Sequence, residues 1–125
     1  MAGLITFVKP EFKHADDRGC LVQLVSKGWK QVNVINSVKG CIRGGHYHKN
    51  NKELFYVASG AFRLVLDRGK EHEEYRMDKG KMFIVPPNVS HTFEYLEDTV
   101  IVACYNRGVI QPRGQDIYKP EMKKG

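Results

Sequence analysis

The chain has 125 residues, 42% of them hydrophobic and 27% charged, with 12 Gly, 5 Pro and 3 Cys. That length suits one domain with a real core and leaves no room for a doubly wound α/β enzyme carrying a separate substrate lobe. The net charge of +6 comes from scattered Lys and Arg with no interleaved aromatic stripe, so nucleic acid is not an expected partner.

At the N-terminus, "MAGLITFVKPEFKH" holds a short apolar run with no basic region ahead of it. Neither a signal peptide nor a membrane span is expected, and the setting read from the sequence is cytoplasmic. One domain over residues 1–125 is expected, with its core at about 18–108 and a short frayed tail at "KPEMKKG". Short β-branched and aromatic runs then recur, with turn signals about every 8 to 12 residues, and helical periodicity is nearly absent. The fold class is therefore all-β, as in a sandwich or barrel.

In chain order, "DDRG" supplies a turn at Gly19, and strands are predicted over 21–25, 31–38, 42–48, 52–59, 62–67, 71–77, 82–85, 91–95 and 99–105. Phe62, Leu64 and Leu66 alternate with polar neighbours before "DRGK", which marks a hairpin. Pro86 and Pro87 lack donors and force a turn before the chain resumes at His91. Trp29 is read as packing, Glu71, Glu73 and Glu74 as an exposed acidic face, and Cys20, Cys41 and Cys104, far apart and odd in number, as reduced core thiols.

Two histidines, with one residue between them, stand in the third of these strands. Alternation sends His46 and His48 to one face and Tyr47 to the other. Glu53 begins the next run on the face of Phe55 and Val57, and His91 shares a face with Phe93 and Tyr95. Three imidazoles and a carboxylate can thus converge on one interior, a donor set that suits zinc, iron, nickel or manganese and does not choose among them. The same side chains can equally serve as barrel-lining acid or base groups without an ion.

The spacing runs Gly40, five residues, His46-x-His48, four residues, Glu53, six residues, Gly60. Later come Gly80, five residues, Pro86-x-Asn88, two residues, His91. This pattern resembles the two motifs of the cupin superfamily. The first matches throughout; the second has Asn88 where the family has glycine and Tyr95 where it has asparagine. Asn tolerates the left-handed turn conformation, so the fold should survive the first departure. The resemblance implies a double-stranded β-helix, or jelly-roll barrel, in which His46, His48, Glu53 and His91 hold one divalent metal, and it implies no organic cofactor.

A narrower resemblance covers the first half of the chain. "RGGHYH" and "DDRGCLVQL" look like segments of the RmlC-like sugar-nucleotide 3,5-epimerases and ketoisomerases. "KQVNVINSVKGCIRGGHYHKNNKELFYVASG" and "IVPPNVSH" resemble the C-terminal cupin of bifunctional capsular-polysaccharide enzymes that 3-epimerise and then reduce a UDP-4-keto-6-deoxy sugar. No counterpart of their reductase domain is present in these 125 residues. What this implies is an epimerase or ketoisomerase acting on a nucleotide-linked 4-keto-6-deoxy sugar in polysaccharide or deoxysugar biosynthesis, by proton abstraction beside the keto group and reprotonation.

By that resemblance His46 is the base and Arg43 holds the diphosphate; Arg18, in the "DDRG" segment, and Lys52, after the histidines, are candidate substrate contacts that read equally as a turn residue and a solvated lysine. Tyr105 is the candidate proton donor, with Tyr95 and Tyr47 behind it. His46 as free base conflicts with His46 as metal ligand, and both roles stay open at this point. A metal-dependent dioxygenase and a non-catalytic metabolite-binding cupin are the alternatives. Related sugar cupins imply a homodimer, and an exposed "GLITFV" run crossing to a partner would agree with one.

Overall fold

A computed structural model describes residues 3–111 and 114–120. Among them the strands are β1 Thr6–Phe7, β2 Phe12–Asp16, β3 Gly19–Gln23, β4 Gln31–Ser37, β5 Ile42–His46, β6 Glu53–Ser59 and β7 Ala61–Arg68. They continue with β8 Glu71–Asp78, β9 Met82–Val85, β10 Ser90–Tyr95, β11 Thr99–Tyr105, β12 Ile110–Gln111 and β13 Gly114–Gln115. No helix among them is long and apolar enough to cross a membrane.

Two antiparallel sheets carry the architecture. One has five strands in the order β1-β9-β6-β11-β4, and the other has four in the order β5-β10-β7-β8. Alternation explains what lies between them. Phe62, Leu64 and Leu66 of β7 pair with Tyr95, Phe93 and His91 of β10, so this register lines up one inward row. Opposite them stand Phe55 and Val57 of β6, Phe83 and Val85 of β9, and Ile101 and Ala103 of β11, all in one buried cluster. The predicted 62–67 and 71–77 hairpin forms as β7 and β8, joined at Gly69 and Lys70.

Residues of β6 are buried on both faces, which alternation alone would not give. The chain at Leu24, Val25 and Trp29 folds over the outside of the five-stranded sheet and covers Leu54, Met82 and Cys104. Trp29 is packing, as its sequence context suggested. Asn88 takes a left-handed φ of 69° at the turn after the prolines, the conformation asparagine tolerates.

Several expectations change. The core begins earlier and ends later than 18–108, because Leu4 and Ile5 are 2% and 7% exposed and Asp116 is 2% exposed. The start of "GLITFV" is therefore packed within its own chain, and the backbone N–H of Leu4 donates to Glu73 Oε1 at 2.8 Å. Glu73 is accordingly a tether for the N-terminal segment and not part of an open acidic face. Strands 12–16 and 19–23 form a hairpin, where the sequence pattern predicts a turn at Gly19 and a strand over 21–25. The predicted 42–48 strand stops at His46, with a lone bridge from Tyr47 to Tyr118 beyond it. The three cysteines are free, yet Cys20 is exposed on the hairpin and only Cys104 is fully buried. The end of the predicted tail, residues 121–125, lies outside the described residues.

Candidate active site

Between the sheets lies a cavity of about 230 Å³, lined among others by Arg43, His46, Glu53, His91, Tyr95 and Tyr105. Its wall depends on an irregularity in β5. His91 pairs with His46, but the next residue, Thr92, pairs with Gly44, which leaves Gly45 as an extra residue in the strand. In a regular strand Arg43 and His46, three apart, would face opposite sides. The bulge turns both toward the cavity. Glycine is required for it: Gly44 has φ 95°, and a Cβ there would sit 2.5 Å from the His91 carbonyl oxygen.

His46 and His91 have ring centroids 4.9 Å apart, His46 and His48 5.3 Å, and His48 and His91 5.5 Å. One ring nitrogen from each can be chosen so that all three lie within 4.8 Å of one another. Glu53 Oε1 sits against two of these rings, 3.0 Å from His48 Nε2 and 3.1 Å from His91 Nε2.

Hydrogen bonds fix which nitrogen faces the carboxylate. His48 Nδ1 donates to the Asp116 carbonyl at 2.5 Å and His91 Nδ1 donates to the Val89 carbonyl at 3.0 Å. Both Nε2 atoms therefore turn toward Glu53. His91 Nε2 is not aligned for a hydrogen bond and is a buried nitrogen with no partner among the described residues. Buried orphans of this kind ask for a cation, a proton or a ligand. Three imidazoles with a carboxylate, two of them held by backbone carbonyls from behind, form a donor set that fits a divalent metal.

The ionisation pattern divides the cluster. Burial, and then the like charges of His91 and His48, push His46 down to about 4. Burial also opposes charge on His48, but the hydrogen bond to Glu53 and the contact with Asp116 outweigh it and raise that imidazole. Burial alone would raise Glu53, yet its hydrogen bond to His48 and the close approach of the His91 ring hold the carboxyl well below the ordinary range. Tyr105, 7% exposed and beside Glu53 and Asn33, keeps its phenolic proton far above the usual range because of burial and the neighbouring carboxylate.

Arg43 is oriented by Ser37, whose Oγ accepts from Nε at 2.8 Å, and by the Asn36 carbonyl. Ser37, 6% exposed, went unnoticed in the sequence, where one serine among β-formers carries no signal. Arg18 and Lys52 are not brought to the cavity. Arg18 lies on the β2–β3 turn with its guanidinium on Asp16 at 2.6 Å, and Lys52 extends over the Trp29 ring at 5.4 Å. Tyr47 stacks on Tyr118 outside the cavity, so of the three candidate tyrosines Tyr105 and Tyr95 remain.

Residues 35–105 match the cupin domain family. The chain belongs to the cupin family. This cupin is 27% identical over 113 residues to the spore coat polysaccharide biosynthesis protein SpsL of Bacillus subtilis, a match covering 78% of this chain and 75% of that protein. Its fold is similar to that of a mutant QdtA 3,4-ketoisomerase from Thermoanaerobacterium thermosaccharolyticum, solved with TDP-4-keto-6-deoxyglucose. That likeness has a TM-score of 0.78 and 18% identity, and covers 96% of this chain and 90% of that one. It is also similar to the capsular polysaccharide assembling protein CapF of Staphylococcus aureus, with a TM-score of 0.66, 28% identity, and coverage of 92% of this chain but 34% of CapF.

Proposed function

We propose that this cupin is a sugar-nucleotide isomerase or epimerase acting on a nucleotide-linked 4-keto-6-deoxy sugar in polysaccharide or deoxysugar biosynthesis. The observation that carries the reading is the β5 bulge, which sets a phosphate-binding fork and an uncharged imidazole on one wall of one cavity. A guanidinium matches diphosphate oxygens bidentately, and Ser37 holds it in place.

His46, neutral at working pH, takes the proton from the carbon beside the keto group. The electron pair of that C–H bond moves into the carbon skeleton and onto the keto oxygen, giving an enolate. Tyr105, which keeps its O–H, returns a proton to carbon as the enolate pair re-forms a C–H bond and the keto group, and the proton held by His46 then passes through solvent to the tyrosinate, restoring both groups. Return to the opposite face of the same carbon inverts it. Delivery of the proton to the former keto carbon instead, with the hydroxyl proton of the neighbouring carbon passing to the former keto oxygen, moves the carbonyl to that neighbour and gives the ketoisomer.

A single divalent ion, zinc, iron, nickel or manganese, would be held by His48, His91 and Glu53, and by His46 whenever that ring is not acting as base. Bound there it would supply Lewis acidity toward a keto oxygen.

The homodimer belongs to the same proposal. β4 is the edge of the five-stranded sheet, with Val32 and Val34 59% and 64% exposed, and the β2–β3 hairpin exposes Phe12 and Leu21. A lone two-stranded hairpin is marginal in water, and an open apolar edge invites a strand. Light scattering on the full chain should give twice the 14.3 kDa mass of the chain, and a monomer would remove the dimer from the proposal. A reducing, cytoplasmic setting accords with three free thiols.

The deciding experiment incubates the protein in deuterated water with dTDP-, UDP- and GDP-linked 4-keto-6-deoxy sugars and follows C3 and C5 by NMR and mass. Protein-dependent deuterium at either carbon is the expected result. No exchange with any of them would overturn the proposal, and oxygen uptake with iron-loaded protein would then support a dioxygenase.

A further inference from the structure

The family match ends at residue 105, yet the segment beyond it reaches back to the histidine cluster. Asp116, 68 residues from His48 in sequence, accepts from His48 Nδ1 through its backbone carbonyl. Its carboxylate does something separate. Oδ1 accepts from the Lys49 backbone N–H at 2.9 Å, and Oδ2 accepts from the Asn50 N–H at 2.9 Å and from Asn51 Nδ2 at 2.8 Å.

Asn51, 1% exposed, ties the other end of the assembly. Its Nδ2 also donates to the Gly108 carbonyl and its Oδ1 accepts from the Arg107 N–H, each at 2.9 Å. The Asp116 N–H donates to the Val109 carbonyl at 2.8 Å. On the far side Tyr47 and Tyr118 exchange backbone hydrogen bonds and their rings stack. The strap thus grips the chain immediately before and immediately after His48.

We infer that Asp116 and Asn51 are positioning residues: together they lock the 114–118 strap onto the 49–51 loop and so hold the proton of His48 on Nδ1, presenting Nε2 to Glu53 and the cavity. The physical need arises because β5 ends at His46. Beyond the strand the His48 backbone is held by the Asn88 N–H, which donates to its carbonyl at 2.7 Å, but nothing in that contact fixes the ring, and with no acceptor behind it the Glu53 carboxylate would draw a single imidazole proton to Nε2. A carbonyl fixed from behind holds that proton on Nδ1. The lock serves any role of Nε2, whether it carries a proton or meets a cation.

The test is imidazole ¹⁵N NMR on the full-length protein, wild type against Asp116→Asn and Asn51→Ala, with turnover measured in parallel. Asn at 116 presents a donor to the N–H groups that the carboxylate accepts from, so it opens the lock at nearly constant shape. In the wild type the His48 Nδ1 proton should be slow to exchange at and above neutral pH. In both variants it should exchange rapidly, and kcat should fall by roughly tenfold, as for removal of other groups that orient a working imidazole, with KM little changed. A wild-type His48 protonated on Nε2 alone would overturn the inference, and that result needs no variant to fold. Variants with lower melting temperature but an unchanged Nδ1 proton and unchanged kcat would also overturn it, since the strap would then be structural only. The NMR readout needs no substrate, so absence of turnover in the wild type would count against the proposed function and leave this test standing.

Discussion

His46 and His48 stand two residues apart and live in opposite worlds. His46 closes a sheet strand, lines the cavity, has no hydrogen-bond partner among the described residues and is held near 4. His48 lies beyond the strand, is 3% exposed, is gripped between the Asp116 carbonyl and Glu53, and is raised. A shared face in the sequence pattern therefore says little about shared chemistry. What separates the two rings is their neighbours: burial beside like charge for one, a carboxylate and a carbonyl for the other.

The sharpest way to break this contrast is to remove the ring assigned to proton transfer. His46→Ala should cut kcat on the order of 10³-fold while calorimetry still shows nucleotide-sugar binding. Full turnover in that variant would move the base elsewhere.

Next in size is the anion behind the other ring. Glu53→Gln leaves the raised His48 and the partnerless His91 Nε2 without their carboxylate, and breaking a buried pair in this way costs about 3 kcal/mol. Urea denaturation should show the loss, and an unchanged midpoint would mean the rings are not held by charge.

A smaller effect is expected at the entrance. Arg43→Ala should raise KM roughly tenfold, within the range of a lost charged hydrogen bond, and leave kcat nearly intact. A fall in kcat instead would place the guanidinium at the reacting end of the sugar.

The finest test uses pH, where the two histidines have opposite signs. His46 has a folded value below its ordinary 6.5, so between 6.5 and about 4 the unfolded chain binds the extra proton and stability falls as pH falls. His48 has a raised folded value, so its contribution is complete below 6.5 and is lost as pH rises through that higher value. Melting temperatures across pH should therefore lose part of their acid slope in His46→Gln and part of their alkaline slope in His48→Gln. The same slope lost in both variants would erase the distinction.

Much of this is legible in the sequence alone. The inward row of Phe62, Leu64 and Leu66 follows from period-two alternation and the turn at the two prolines from their missing donors, and motif spacing singles out His46, His48, Glu53 and His91, although a bulge and a strand end, not regular alternation, bring them together. Arg18 and Lys52 were not separable from cavity residues, because nothing local tells a lysine that its neighbour will be Trp29 or an arginine that it will fold back on Asp16. Asp116 and Asn51 were hidden for a related reason. Their partners are 56 to 68 residues away, and a polar residue in a loop or tail has the same sequence signature whether it is solvated or buried.

By itself, the sequence determined the all-β class, the hairpin that turns at Gly69 and the set of ionisable residues with the spacing to meet, because side-chain alternation and turn chemistry act within a few residues. Tertiary structure decided the rest. The extra residue at Gly45 exists only against the register of β10, and it alone puts Arg43 and His46 on one wall. The opposed ionisation of His46 and His48 exists only once burial, Glu53 and the Asp116 carbonyl surround them, because desolvation and Coulomb forces depend on distance through space and not along the chain.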